Sequence, residues 1–144
     1  MTVTGILLVR TQGRYLGIPL KHIIAVTELG VVSAVPAASP AVRGVIVARG
    51  RLRTLFHLGA LLGGGDCPVA GLSTTVVLAS AGPLMVALEV EEADTIPGAT
   101  LLAPPEGSEF AGWAIGAMQR GKEWIPILNL EALMGQWRAR EAGV

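Results

Sequence analysis

Short apolar runs separated by turn residues dominate the first half of the chain. Ile6–Arg10 and Tyr15–Ile18 predict two strands that are joined by a turn at Gln12-Gly13-Arg14. Pro19 ends the second strand, because proline has no N–H to donate to a sheet. The other elements predicted here are strands at His22–Glu28, Gly44–Ala48 and Leu52–His57 and a helical turn at Leu58–Leu62.

The same kind of pattern starts again in the second half. Arg120-Gly121-Lys122 predicts a hairpin turn, since glycine supplies the positive φ that such turns need. Asn129 is a suitable N-cap for a closing helix at Leu130–Arg140, which carries apolar residues at i, i+3, i+4 and i+7. The other predictions are strands at Thr75–Ala79, Leu84–Val90, Glu92–Ile96, Trp113–Gln119 and Glu123–Leu128, and a loop at Pro97–Ala111.

These elements indicate an all-β fold with a short C-terminal helix. Two clusters of about five short strands, separated by glycine-rich turns, favour antiparallel sheets. In a chain of 144 residues such clusters form either two small barrels or one sandwich. Each half alone would have a marginal core, so we expect the halves to share an apolar interface.

Composition narrows the class of protein. Hydrophobic residues make up 51 % of the chain and charged residues 15 %, which excludes a disordered protein. The single cysteine, Cys67, excludes a disulfide framework and a multi-cysteine metal site, and we interpret it as a loop thiol. His22 and His57 are far apart in sequence and are interpreted as polar surface residues. We therefore predict no metal and no cofactor.

Charge is distributed unevenly along the chain. Residues 1–65 hold seven basic residues and one acidic residue, whereas residues 66–144 hold four basic and ten acidic residues. The two parts thus carry net charges of +6 and −6. Such halves either form two partner surfaces of opposite sign or attract each other within one fold, and both interpretations remain open.

No segment has the pattern of an export signal or a membrane span. The first ten residues lack a basic region before a short apolar run. Residues 67–88 carry no charge, but Ser80–Pro83 divides them into strand, turn and strand. We expect a cytoplasmic protein without direct membrane insertion.

The side chains that could carry chemistry are few. Glu89 and Glu91 are two residues apart and would share one strand face, so a carboxylate enzyme site is one hypothesis. It has little support, because no other catalytic side chain follows them at a recognisable spacing. No phosphate-binding glycine motif is present, so no small-molecule substrate is predicted. Arg49, Arg51 and Arg53 alternate and would project from one strand face, near Arg43. Such an arginine patch can grip nucleic acid, although a protein-binding face fits the zero net charge better.

Several segments, taken in order, resemble the CheW-like domains. The shared features are a Gly-Ile-Pro segment, a proline-rich approach to Gly-Val-Ile, an Arg-Gly turn, an apolar strand before a leucine, and a final strand and helix. They are Leu16–Leu20, Pro36 and Pro40 before Val42–Ile46, Arg49-Gly50, Leu55–Leu58, Ala87–Glu91, and Trp124–Leu130 with Leu133. No single motif is strong, but the ordered set spans nearly the whole chain.

The resemblance implies a fold and a function. It implies one CheW-like domain over residues 1–144, built of two packed five-stranded barrels similar to Src-homology-3 domains. The first barrel would comprise about residues 10–66 and the second about 67–144, with an exchanged strand possible at the N-terminus. CheW-like proteins are non-catalytic adaptors that couple the cytoplasmic tips of chemoreceptors to the regulatory domain of the histidine kinase CheA.

The resemblance also implies a set of partner-binding residues around the Arg-Gly turn. These residues are Arg43, Gly44, Val45, Arg49, Gly50, Arg51 and Glu91. The chain departs from the family pattern at Val47 and Ala48, where the family has Asn-Leu, and at Ala25, Thr54 and His57. Three alternatives therefore stay open: a scaffold for a pilus-motility or other two-component pathway, a β-domain that binds nucleic acid through Arg43, Arg49, Arg51 and Arg53, and the carboxylate enzyme.

Overall fold

The computed structural model describes residues 2–34, 39–63, 75–103 and 112–141. These ranges contain mainly strands, and the expected short helix lies near the C-terminus, so the predicted fold class is confirmed. The strands are β1 (Thr2–Thr11), β2 (Arg14–Pro19), β3 (Ile23–Glu28), β4 (Val42–Ala48), β5 (Arg51–His57), β6 (Thr75–Ala81), β7 (Leu84–Val90), β8 (Glu92–Thr100), β9 (Ala114–Arg120) and β10 (Glu123–Leu128), and the helices are α1 (Leu58–Gly63) and α2 (Leu130–Glu141).

The strands form two five-stranded sheets of the same design. The orders are β8-β1-β2-β10-β9 and β3-β6-β7-β5-β4, and each sheet has one parallel pair, β2 with β10 and β5 with β7. Paired backbone hydrogen bonds then join the two edges of each sheet. Ser33 and Val45 exchange bonds of 2.9 Å in one, and Leu102 and Ala117 exchange bonds of 2.8 Å in the other. We call the sheets with these closures the first barrel (β1, β2, β8, β9, β10) and the second barrel (β3–β7).

The division of strands between the barrels differs from the expected boundary near residue 66. Each barrel takes strands from both halves of the chain, and β1 lies between β2 and β8. The difference has a physical reason. Hairpin pairs such as β1–β2 and β9–β10 are local, but the parallel pairs that complete each sheet join strands far apart in sequence, and no local pattern encodes them.

The chain contains two structural repeats that exchange strands with each other. Residues 2–63 and 75–141 each contain five strands followed by a helix, and the first two strands of each repeat pair with the last three of the other. Sequence supports this relation, because Arg51–Gly63 (RLRTLFHLGALLG) aligns with Glu123–Gly135 (EWIPILNLEALMG) without gaps. The two barrels therefore have equivalent turns, grooves and edges.

Alternation along the central strands builds three apolar clusters. In β1, Leu7 and Val9 face the cluster between the barrels, whereas Ile6 and Leu8 face the interior of the first barrel. In β6 the same alternation sends Val77 to the shared cluster and Val76 into the second barrel. Both faces of these strands are buried, which explains their nearly continuous apolar sequence.

Helix α2 covers one side of the shared cluster. Its predicted cap is present, since Asn129 Oδ1 accepts a hydrogen bond of 3.1 Å from the N–H of Ala132. Leu133 and Met134 are buried, and Trp137 meets the edge of Phe56 at a centroid distance of 4.9 Å. No helix within the described ranges is long and apolar enough to cross a membrane.

Strand β8 is longer than predicted. It continues through Pro97 to Thr100, where a loop was expected. Pro97 is tolerated because β8 is the last strand of its sheet and because Pro97 falls at a gap in the ladder opposite Gly5, between the pairs Thr4–Gly98 and Ile6–Ile96. Beyond Thr100, Leu102 forms an isolated bridge with Ala117, and residues 104–111 of the expected loop lie outside the described residues.

Candidate partner-binding site

The β4–β5 hairpin presents an arginine at its tip. Arg49 and Gly50 form the two-residue turn, with φ values of 51° and 76°. Two successive positive φ values are typical of a type I′ turn, whose twist matches the flanking strands. Arg49 and Arg51 are both exposed, but Arg49 lies in the turn and not on the strand face where we had placed it with Arg51 and Arg53.

Gly44, in β4 of this hairpin, allows close contact with the segment around Ser33. A Cβ at this position would collide with the backbone oxygen of Ser33, so only glycine allows the two segments to approach. The next residue, Val45, is the one that pairs with Ser33. Gly44 is buried and Val45 is half-buried. Both therefore hold the edge of the second barrel together, and the partner contact that the resemblance implied for them stays a prediction.

An apolar groove lies between β3 and β4. The two strands approach each other only beyond the end of β3, at the Ser33–Val45 pair, so the edges nearer the hairpin tip leave a groove of about 410 Å³. Val26, Val31 and Val47 line it and are exposed, Val47 by 71 % and Val31 by 88 %. Arg49 and Glu28 are also part of the lining. Exposed valines grouped in one groove are typical of a protein-binding surface.

Sequence reasoning missed this groove. Val26 and Val47 belong to apolar strands, and the strand pattern alone did not show that their side chains are exposed. The only signal was the departure at Val47, where the family carries a polar residue. An exposed valine at a position that tolerates a polar side chain marks the outward face of a strand.

Arg43 does not belong to the exposed surface. Its side chain is 13 % exposed and is bonded to Glu89, which is 3 % exposed. The Nη2–Oε1 distance is 2.7 Å, and Nε lies 3.2 Å from both carboxylate oxygens. This geometry places the guanidinium of Arg43 against a buried carboxylate and not on the exposed hairpin surface, so its predicted role in partner binding gains no support.

His57 is also buried, which corrects its interpretation as a surface residue. Its Nδ1 accepts a hydrogen bond of 3.1 Å from the N–H of Ala60 and so caps α1. The proton of the neutral ring is therefore on Nε2, which lies 3.9 Å from Oε1 of Glu89. Burial lowers the pKa of His57, the charges of Glu89 and Glu91 oppose this, and Arg43 adds to the lowering.

Glu91 lies away from the hairpin tip. The parallel register pairs His57 with Glu89, so the end of β7 lies beside the end of β5, a whole strand from Arg49. Glu91 follows that end, and its carboxylate pairs with Arg10 at 3.4 Å. The structure therefore does not bring Glu91 together with Arg49, Gly50 and Arg51.

The carboxylate-enzyme and nucleic-acid hypotheses each needed an arrangement of charged side chains that the described residues do not show. Glu89 and Glu91 were expected on one strand face, but β7 ends at Val90 and the two carboxylates have different arginine partners. The four arginines do not form one surface, because Arg43 is enclosed. Each of the ion pairs Arg43–Glu89, Arg10–Glu91 and Arg10–Glu92 joins the basic half of the chain to the acidic half. Attraction within one fold thus accounts for part of the charge asymmetry.

His22 and Cys67, the remaining side chains that could bind a metal or react, gain no support from the described residues. His22 is half-buried in a short 3₁₀ turn at Leu20–His22. Among the described residues, no group of three or more His, Cys, Asp or Glu side chains could hold a metal ion. Cys67 lies outside the described residues.

Comparisons with known proteins agree with this architecture. The family model for the CheW-like domain matches residues 5–137. The structure is similar to that of the scaffolding protein TtCheW from Thermoanaerobacter tengcongensis, with a TM-score of 0.77 and 17 % sequence identity over 91 % of this chain and 92 % of the other. No curated protein matches the sequence. Because the family model covers both barrels and both helices up to Trp137, the chain belongs to the CheW-like domain family.

Proposed function

We propose that this protein is a non-catalytic adaptor that couples chemoreceptors to a CheA-type histidine kinase in the cytoplasm. The observation that carries the proposal is the exposed valine groove of the second barrel, with Arg49 beside it. A groove of this kind suits a partner that buries an apolar side, such as the helical tip of a receptor. The kinase regulatory domain, which has the same fold, would dock on a second face.

The buried polar cluster supports a non-catalytic role. Glu89 and His57 are the acidic and basic groups best placed for proton transfer, but they are 3 % and 2 % exposed. Both carboxylate oxygens of Glu89 are bonded to Arg43, and Nδ1 of His57 accepts the N–H of Ala60. A substrate has no access to them, so the cluster stabilises the fold.

The adaptor would act through binding energy alone. If receptor and kinase bind different faces of one rigid domain, receptor conformation can change which kinase state the assembly favours. Coupling of this kind needs two simultaneous interfaces and no turnover. The two barrels, each with its own grooves, supply such faces.

Titration calorimetry with the variant Val47→Asp tests the proposal. A carboxylate in the groove should weaken binding of a receptor-tip fragment at least tenfold, because burying an unpaired charge is costly. Ile115→Asp is the matched control, since Ile115 is exposed on β9 of the first barrel and lies outside this groove. Equal losses in both variants, or none in either, would contradict the assignment of the groove. A diverged scaffold for another pathway would show no affinity for any receptor tip of the same cell.

A further inference from the structure

A second groove, in a different part of the second barrel, combines apolar and cationic groups. Strands β5 and β7 pair over Leu55–His57 and Ala87–Glu89 and are not paired nearer their hairpin turns. The last turns of α2 cover one side of the opening. The result is a groove of about 280 Å³ whose lining includes Leu52, Arg53, Met85 and Arg138. We call it the Arg53–Arg138 groove.

The guanidinium of Arg53 lacks a strong partner within the described ranges. Its Nη1 lies 3.3 Å from Sδ of Met85, and a thioether is a weak acceptor. Its Nε is buried and makes no hydrogen bond to the described residues. Within the described residues the guanidinium of Arg53 is therefore not paired with a carboxylate, which leaves it able to bind an acidic group of a partner.

The charges around the groove are of one sign. Among the described residues, the charged side chains of its lining are Arg53 and Arg138, and none is acidic. The repulsion between two guanidinium groups falls when a carboxylate binds near both, and arginine binds carboxylates through paired hydrogen bonds.

The apolar part of the groove is exposed as well. Leu52 is 74 % exposed and Met85 is 41 % exposed. The indole of Trp137 is already engaged, by Phe56 and by a hydrogen bond to Ser39, so it does not offer a free face to a nucleotide base. Aliphatic walls favour aliphatic side chains of a partner over bases, which stack on aromatic rings.

We propose that the Arg53–Arg138 groove docks a short segment of a partner protein that carries a carboxylate next to aliphatic side chains. The carboxylate would bind the guanidinium of Arg53 and lie close to Arg138, and the aliphatic groups would cover Leu52 and Met85. This surface is separate from the valine groove, so the inference does not depend on the proposed function.

The equivalent position of the first barrel has different chemistry. There β2 and β10 diverge in the same way, and the groove is lined by Arg14, Tyr15, Glu123 and Trp124. It contains an acidic side chain and exposed aromatic surface. Of the two equivalent grooves, the one in the second barrel therefore selects acidic and aliphatic segments.

The test uses fluorescence anisotropy with the labelled dodecapeptide (Glu-Leu-Asp-Leu)₃ and the full chain. Two control peptides, (Gln-Leu-Asn-Leu)₃ and (Glu-Ser-Asp-Ser)₃, lack either the charges or the apolar groups. We expect only the first peptide to bind. Arg53→Gln and Arg138→Gln should each weaken binding about tenfold, the loss of one hydrogen bond to a charged group. Arg120→Gln, which removes the same charge from the first barrel, should leave binding unchanged.

Several results would overturn the inference. Absence of binding, or equal binding by (Glu-Ser-Asp-Ser)₃ or by a single-stranded oligonucleotide, would show that the groove is not selective for acidic and aliphatic segments. A change from dimer to monomer in Arg53→Gln, seen by sedimentation, would assign the groove to a second copy of the chain. Leu52→Asp separates folding from binding, because Leu52 is exposed and a carboxylate there should repel the peptide without altering the thermal midpoint.

Discussion

Glu89→Gln should strongly destabilise the fold. The substitution keeps the size of the side chain but removes the charge that faces Arg43 in the interior of the second barrel. Three contacts of 2.7–3.2 Å would then join a cation to a neutral amide. Removing one partner of a buried ion pair costs about 3–5 kcal/mol, because the other charge stays buried without compensation.

The size of this loss makes it easy to measure. For a chain of this length, about 3–5 kcal/mol corresponds to a fall of roughly 10 °C or more in the thermal midpoint. Urea unfolding followed by circular dichroism should show a lower midpoint with an unchanged m-value. Glu123→Gln is the control, since Glu123 is exposed at the start of β10 and its loss should change stability by less than about 0.5 kcal/mol.

A double substitution distinguishes the pair from other causes. Replacing Arg43 by Met and Glu89 by Leu removes both charges, and the double variant should be more stable than Glu89→Gln. A loss below about 1 kcal/mol in Glu89→Gln would contradict the enclosed ion pair. It would mean that Arg43 reaches solvent and that the ion pair behaves as a surface pair.

Three further predictions concern the backbone, a buried base and the hairpin tip. Gly44→Ala should destabilise the chain by about 2–4 kcal/mol in urea unfolding, because the new Cβ meets the backbone oxygen of Ser33; an unchanged midpoint would contradict that contact. The lowered pKa of His57 means that the unfolded state binds the proton more tightly, so stability should be complete above pH 6.5 and should fall as pH falls below it. His57→Asn, which keeps a cap acceptor, should flatten this dependence in urea midpoints measured from pH 7.5 to 5, and an equal slope in both proteins would exclude His57 as its source. Arg49→Glu should weaken partner binding in calorimetry while the thermal midpoint stays within about 2 °C, and Arg120→Glu in the equivalent hairpin should leave both binding and midpoint unchanged.

Local features of the fold could be predicted from the sequence. Gly13, Gly50 and Gly121 occupy hairpin turns with positive φ, and a glycine between apolar runs is a strong signal for such turns. The final helix was placed because Asn129 precedes a periodic apolar face. These features depend on neighbouring residues, which is why one sequence is enough to find them.

The partition of strands could not be predicted in the same way. It depends on β5 lying beside β7 and β10 beside β2, and both pairs join distant segments. One signal was available, because Leu58–Gly63 and Leu130–Gly135 are similar and each follows a similar strand. An internal repeat of this kind indicates two equivalent halves, although it does not reveal that they exchange strands.

The candidate site was predicted only in part. Arg49, Gly50 and Arg51 lie at an exposed hairpin tip, which agrees with the pattern of charge and glycine. The enclosed position of Arg43 was not predicted, because a charged residue in a strand is normally exposed and its partner Glu89 is 46 residues away in sequence. The burial of a charge depends on such distant partners, which a single sequence does not show.

As an adaptor, this CheW-like domain would have to bind a receptor and a kinase at the same time. Titration calorimetry of the full chain with the regulatory domain of a CheA-type kinase from the same cell tests this requirement most directly, at low and at moderate salt. We expect micromolar binding that is retained when a receptor-tip fragment occupies the valine groove. No heat of binding, from a chain that circular dichroism shows to be folded, would contradict the adaptor function and leave the fold intact.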